Sequence, residues 1–260
     1  MTFDLIDTHT HLYLDAFNDD RSALISRALE AGVKRMLLPN IDLASIPGMH
    51  ALCDEFPDNC FPMMGLHPCD VKDDFRAVLN DMEAMLDQRR YVAIGETGID
   101  LYWDKTTLPN QIDSFEIQVE WAKQRDLPIV IHARESFDEI FAVLDRVNDD
   151  RLKGVFHCFT GNAMQAQKIM DYGGFMMGLG GVLTYEKSGL AEVAKDIPLE
   201  ALLLETDPPF PTPKPYRGKR NESAYVKFVA EKLAEVKQLS LHEIAQATTA
   251  NAIRLFRLES

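Results

Sequence analysis

Seven histidines occur in the chain, and five of them follow short apolar runs. His9 and His11 stand in Asp7-Thr8-His9-Thr10-His11, His67 in Gly65-Leu66-His67-Pro68, His132 after Ile129-Val130-Ile131, and His157 after Val155-Phe156. Two carboxylates take the same place elsewhere, Glu96 in Gly95-Glu96-Thr97-Gly98 and Asp207 in Glu205-Thr206-Asp207. His9, His11, His132 and His157 together with Glu96 and Asp207 would suit divalent metal, and a carboxylate such as Glu96 can bridge two ions. One histidine at a strand end is ordinarily structural, but coincidence over five strand ends is hard to sustain. His67 stays open between a substrate contact and a packed turn, since Leu-His-Pro suits both. Glu205 stays open between supporting the metal site and a core hydrogen bond. His50 and His242 sit in helical stretches and read as surface or packing residues, and Cys69 and Cys158 as packing rather than ligands.

Lys plus Arg total 27 against 41 Asp plus Glu, a formal charge of −14. A broad basic face for duplex nucleic acid is excluded on that balance, because phosphate affinity needs many cationic contacts. Against this background Lys214, Arg217, Lys219 and Arg220 form one basic stretch just beyond Asp207. A phosphate-binding loop and a merely solvated loop are equally compatible with it. Arg134, two residues after His132, is a second candidate to hold an anionic oxygen, and Tyr216 a candidate to stack on a base.

Positioning these groups requires a repeat. Apolar runs at Phe3–Asp7, Val33–Leu38, Cys60–Gly65, Tyr91–Gly95, Pro128–Ile131, Gly154–Phe156, Gly174–Leu179 and Ala201–Leu204 read as buried parallel strands. Helical patterns lie between them at Arg21–Ala31, Phe75–Asp87, Gln111–Arg125 and Phe137–Val147, with Asp19 or Asp20 capping the first and Ser136 the last. Ala224–Val236 and Leu241–Phe256 close the chain. From His11 through Asn40, His67, Glu96 and His132 to His157 the steps are 29, 27, 29, 36 and 25 residues, each one βα unit, and the step of 50 to Asp207 holds two. The first strand lacks the glycine-rich loop of an open nucleotide-binding sheet. A single-domain (β/α)8 TIM barrel over residues 1–260 is therefore predicted, with the ionisable groups gathered at the mouth formed by the strands' carboxyl ends.

Composition supports a folded chain: 46% hydrophobic and 26% charged. No apolar run reaches membrane length, and no basic segment precedes an apolar stretch at the start, so no signal peptide is expected. The four cysteines have no zinc-ribbon or CxxC spacing and read as reduced thiols of a cytoplasmic protein. A monomer with no obligate protein partner is expected.

The ordered set Asp7-Thr8-His9-Thr10-His11, Gly65-Leu66-His67-Pro68, Gly95-Glu96-Thr97-Gly98-Ile99-Asp100, Pro128 to Arg134, His157-Cys158-Phe159-Thr160-Gly161, Glu205-Thr206-Asp207 and Arg217 to Glu222 resembles the TatD family of metal-dependent deoxyribonucleases. These belong to the amidohydrolase-like barrels, and the resemblance spans the chain. It implies that His9, His11, Glu96 and Asp207 hold one ion and Glu96, His132 and His157 a second. It also implies Mg²⁺ as the working ion, whereas the imidazole-rich set by itself favours Zn²⁺ or Mn²⁺. The segment Pro208 to Pro213 and Ser223 after Glu222 depart from the family pattern and bear on substrate choice. No lysine ends the fourth strand, where carbamylated-lysine relatives place their bridging ligand.

The expected reaction is phosphodiester hydrolysis by a two-metal site, with Asp207 orienting the attacking water and taking its proton. Arg134 or the basic loop would stabilise charge on the phosphoryl oxygens. The resemblance implies a 3′→5′ exonuclease acting on single-stranded or frayed DNA in repair. The alternative is hydrolysis of another ester or amide, such as a D-aminoacyl ester on tRNA. A metal-stabilised scaffold without chemistry would lack Asp207 or Glu96, and both are present.

Overall fold

The structure is a computed structural model, and it describes residues 4–209 and 211–258. Phe3 of the first predicted run and Phe210 of the Pro208 to Pro213 departure lie outside the described residues. Eight strands alternate with helices: β1 Leu5–Asp7, β2 Val33–Leu38, β3 Cys60–Pro62, β4 Ile94–Asp100, β5 Ile129–Arg134, β6 Gly154–Phe156, β7 Phe175–Leu179 and β8 Leu202–Leu204. All pair in parallel, as one run from β1 to β3 and a second from β4 to β8. Two seams close the ring. Gly95 N donates to Met64 O at 2.8 Å between β3 and β4, and Thr8 N donates to Leu204 O at 3.1 Å between β1 and β8. The predicted (β/α)8 barrel is the fold.

The helices are α1 Arg21–Glu30, α2 Ile46–Glu55, α3 Phe75–Leu86, α4 Leu108–Arg125, α5 Phe137–Val147, α6 Ala163–Asp171, α7 Leu190–Asp196, α8 Val226–Lys237 and α9 Leu241–Phe256. In α5, Ile140, Phe141, Val143 and Leu144 are buried at helical spacing, with Asp138 and Glu139 in the first turn and Arg146 in the last to suit the helix dipole. Asp20 and Ser136 do occupy the N-cap positions of α1 and α5, but neither side chain caps. Ser136 instead donates its hydroxyl to Ile99 O, tying α5 to β4. Capping boxes occur at Asn162–Gln165 before α6 and Ser240–Glu243 before α9.

Burial separates two apolar layers. One lies between the strands and the surrounding helices. The other contains Ile6, Leu37, Met63, Ala93, Val130, Val155, Met176 and Leu203, one from or beside each strand, so it fills the lumen. Leu255, Phe256 and Leu258 from the end of α9 join it and plug the ring from below.

Candidate metal centre

Strand alternation carries this inward phase upward. Val130 leads two residues on to His132, Val155 to His157 and Leu203 to Glu205, while Asp207 lies three residues beyond β8 at φ 52°. His9 and Glu96 stand three residues beyond Ile6 and Ala93, so alternation alone would turn them away. β1 ends at Asp7, and the chain has left strand geometry before His9. His9 and His11, whose spacing of two would put them on one face of a strand, both lie beyond β1. The β4–β5 register shifts between Ile94 and Thr97, which rotates Glu96 inward. Glu96 also lies inside β4, not at the end of a run closing at Gly95, because β4 continues through Asp100. Gly98 permits this at φ 137°, where a Cβ would meet His132 O at 2.1 Å.

Glu96 is the hub. Its Oε2 faces His9 Nε2 at 3.0 Å and His11 Nε2 at 3.4 Å. Its Oε1 faces His132 Nδ1 at 2.7 Å and His157 Nε2 at 2.8 Å. Asp207 Oδ1 joins the first pair, 3.7 Å from His9 Nε2 and 3.6 Å from His11 Nε2. The two oxygens of one carboxylate thus divide four imidazoles into two pairs.

Hydrogen bonds behind the rings set their tautomers. Tyr13 donates its only hydroxyl proton to Pro39 O. Its oxygen must therefore accept from His11 Nδ1 at 3.0 Å, leaving the Nε2 lone pair facing the cluster. His132 lies between two carboxylates, Nε2 2.9 Å from Asp100 Oδ2 and Nδ1 2.7 Å from Glu96 Oε1, and against burial these acceptors hold it above the ordinary histidine value. His67 is opposite in sense to His11: its Nδ1 accepts from Cys69 N at 3.0 Å, so in the neutral ring the proton sits on Nε2, 3.3 Å from Glu96 Oε1. His67 therefore enters the site as a hydrogen-bond donor, although it lies with Glu96 and His132 within metal-ligating distance.

Four imidazoles crowded on one buried carboxylate need positive charge among them, which ring protons or bound cations can supply. His9 Nε2 and His11 Nε2 are 3.2 Å apart, as are His132 Nδ1 and His157 Nε2. His9 Nδ1, His157 Nδ1 and Glu205 Oε2 are buried without a hydrogen-bond partner among the described residues. Burial drives His9 far toward the neutral form, with His157 adding to the effect. Burial would raise the Glu96 carboxyl, but His157, His67 and His9 outweigh it and hold it well below the ordinary range. Against the same desolvation, Glu96 and Glu205 hold His157 well above the ordinary histidine range. This donor set, rich in imidazole and joined by one carboxylate, fits divalent cations.

Glu205 supports His157 from behind. Its carboxylate occupies the room left by the missing side chain of Gly178, where a Cβ would meet Oε2 at 2.1 Å. Its Oε1 accepts from Cys158 N and lies 3.7 Å from His157 Nδ1. The remaining sequence candidates spread out. Arg134 ends β5 and stacks on Tyr102, 3.9 Å from the ring centroid. Arg217 stacks on Tyr185, and Lys219 approaches Tyr216. Arg220 is committed to Asp20 and Ala16 O, and Lys214 pairs with Glu186 at 2.9 Å. Tyr216 stacks face to face on Tyr225 at 4.4 Å. Acidic and aromatic neighbours thus engage the members of that stretch one by one. Sequence reasoning assigned no role to Asp100, Tyr13 or Asp7. Asp7 accepts from Thr206 N at 2.9 Å and so ties β1 to β8 beneath the cluster, while burial pushes its carboxyl up to about 7. Asp100 was visible only as the last residue of a quoted motif.

No helix among the described residues is long and apolar enough to cross a membrane. The model of the family described as TatD related DNase matches residues 6–257. A Bacillus subtilis protein named as an uncharacterized metal-dependent hydrolase, YabD, is 38% identical over 98% of this chain and 99% of its own. The 3′-5′ ssDNA/RNA exonuclease TatD of Salmonella typhimurium is 33% identical over 98% of this chain and 99% of its own. The crystal structure of YjjV, a TatD homologue from Escherichia coli, superposes with a TM-score of 0.93 at 31% identity, covering all of both chains.

Proposed function

The chain belongs to the TatD-related DNase family and is a metal-dependent hydrolase, and from that premise we propose that it cleaves phosphodiesters as a 3′→5′ exonuclease on single-stranded ends of DNA. The observation that carries the reading is the division of four imidazoles by the two oxygens of Glu96. His9, His11, Glu96 and Asp207 would hold one ion, and Glu96, His132 and His157 the other. When bound, such ions supply Lewis-acid charge and water activated near neutral pH.

The residues divide the remaining work. Glu96 is walled in, with 3% of its side chain exposed, and organises the centre without reaching a substrate. Asp207 is 21% exposed at the rim and is placed to orient a water and accept its proton. His67 donates through Nε2 and can transfer that bond from Glu96 to a phosphoryl oxygen. Arg134, exposed at the end of β5, offers a guanidinium to a neighbouring phosphate. The net charge of −14 supports single strands over duplex, since a local contact suffices for an end. The Salmonella relative's name supports the same substrate class and polarity. The whole chain is read as one hydrolase domain working in the cytoplasm.

The test is digestion of 5′-end-labelled single-stranded DNA with Mg²⁺ or Mn²⁺, run beside an aryl ester and a D-aminoacyl-tRNA. A ladder shortening from the 3′ end is expected. Ester turnover with intact DNA would overturn the nuclease reading.

A further inference from the structure

Among the described residues the large apolar side chains most open to solvent include two neighbours, Tyr102 at 50% and Trp103 at 71% exposure. They sit on the loop between β4 and α4, at the barrel's mouth. An indole left bare beside a catalytic face costs solubility and packing, and such exposure marks a binding surface.

The loop is rigidly mounted and wired to the metal centre. Asp100 holds His132 Nε2 with Oδ2, while its Oδ1 accepts from Tyr102 N at 2.9 Å and Trp103 N at 3.3 Å. Gln111 clamps the same corner, accepting from Asp100 N at 2.8 Å and donating to Asp100 O at 3.2 Å. Across the sheet Asp100 pairs in register with Arg134. The Arg134 guanidinium covers one face of Tyr102 at 3.9 Å and stands 5.7 Å from the Trp103 ring. Tyr102 meets Trp103 edge to face, with centroids 4.8 Å apart at 90°. Tyr102 is thus spent holding Arg134 and bracing the indole, and Trp103 is the ring presented outward.

An aromatic face beside an arginine matches a nucleotide: the base stacks while the guanidinium meets the phosphate. We propose that Trp103, braced by Tyr102 and Arg134, is the stacking platform for an unpaired nucleobase of the strand entering the site. For its substrate this rests on the phosphodiesterase reading above. It accounts for a preference for single strands, because a paired base is already stacked in its helix and cannot offer its face to the indole. It also makes the platform tolerant of base identity, since each base has a π-face.

The test uses a phosphorothioate oligothymidylate ten nucleotides long, which resists cutting, and its abasic deoxyribose-phosphate counterpart, with Mg²⁺ present. Trp121 is buried, so quenching by ligand reports on Trp103. Binding of the oligothymidylate should quench the fluorescence, and the abasic chain should not. By anisotropy of a 5′-labelled oligothymidylate, Trp103→Ala should weaken binding roughly ten- to a hundredfold, and Trp103→Phe should recover most of it. Equal affinity of wild type and Trp103→Ala, equal affinity for the abasic chain, or no binding by wild type would each overturn the platform. Failure of the nuclease reading is a separate result: the ordinary oligonucleotide stays uncut while base-dependent binding and its loss in Trp103→Ala persist.

Discussion

The two ends of the barrel lumen use the same eight strands for opposite purposes. Below, Val130, Val155 and Leu203 meet Phe256 and Leu258 in an apolar plug where packing alone satisfies every side chain. A few residues along the same strands, His132, His157 and Asp207 face one another around Glu96, and three buried polar atoms lack partners. The plug is complete in the protein's own atoms. The mouth instead leaves buried polar atoms unsatisfied and gathers a donor set that suits cations. Stability is thus concentrated at one end and chemistry at the other, so substitutions at the two ends should separate folding from activity.

The strongest challenge to that separation is Glu96→Gln. A carboxamide cannot supply two anionic oxygens, so DNA cleavage should fall by about 10³-fold or more, with metal per chain reduced in elemental analysis. A cooperative thermal transition should remain, lowered by about as much as metal removal lowers it, since the plug is untouched. Leu203→Ala is the converse: it should destabilise by about 2–5 kcal/mol, lowering Tm in calorimetry while the rate per folded molecule stays near wild type. A large rate loss there would mean the ends are mechanically coupled.

Chelation sharpens the comparison further. Ions that bind only the native mouth stabilise it by about 2.7 kcal/mol at a hundred times their Kd, so adding EDTA should lower Tm by several degrees and restore it on readdition of Mn²⁺. No change would mean the cluster holds no ions in solution. Asp100→Asn removes the carboxylate held against His132 Nε2, and metal affinity measured by competition should weaken ~10–100-fold. The smallest effect lies outside both ends. His50, bonded to Tyr91 at 2.9 Å, is held below the ordinary histidine range by burial, with Arg89 adding to it. Its unfolded form takes a proton first as pH falls below about 6.5, so that stability is present above this value and lost as pH falls through the folded pKa. Melting wild type and His50→Gln from pH 7 to pH 5 should show a slightly smaller decline in the variant.

Much of this architecture is legible without coordinates. Apolar runs at βα spacing identify the strands, and the inward phase of Val130, Val155 and Leu203 carries directly to His132, His157 and Glu205. α2 carries Pro47 and Gly48 near its start, and proline is tolerated in a first helical turn. In the basic stretch after Asp207, linear proximity does not reveal that Arg220 turns to Asp20 and Tyr216 to Tyr225. Tyr102 and Trp103 follow β4 in a loop with no period to mark them, so only the tertiary structure shows that the indole is exposed.

Sequence by itself determined the barrel, the ionisable residue types and their common phase, because periodicity is local and burial enforces it. Tertiary structure decided which way Glu96 and His9 face, since both depend on departures from strand alternation. It also decided which acceptor or donor each ring nitrogen faces. Those contacts come from Pro39 O through Tyr13, from Asp100 and from Cys69 N, partners set by the fold's closure. Hydrogen-bond direction is a property of a three-dimensional contact, and no spacing along a chain encodes it.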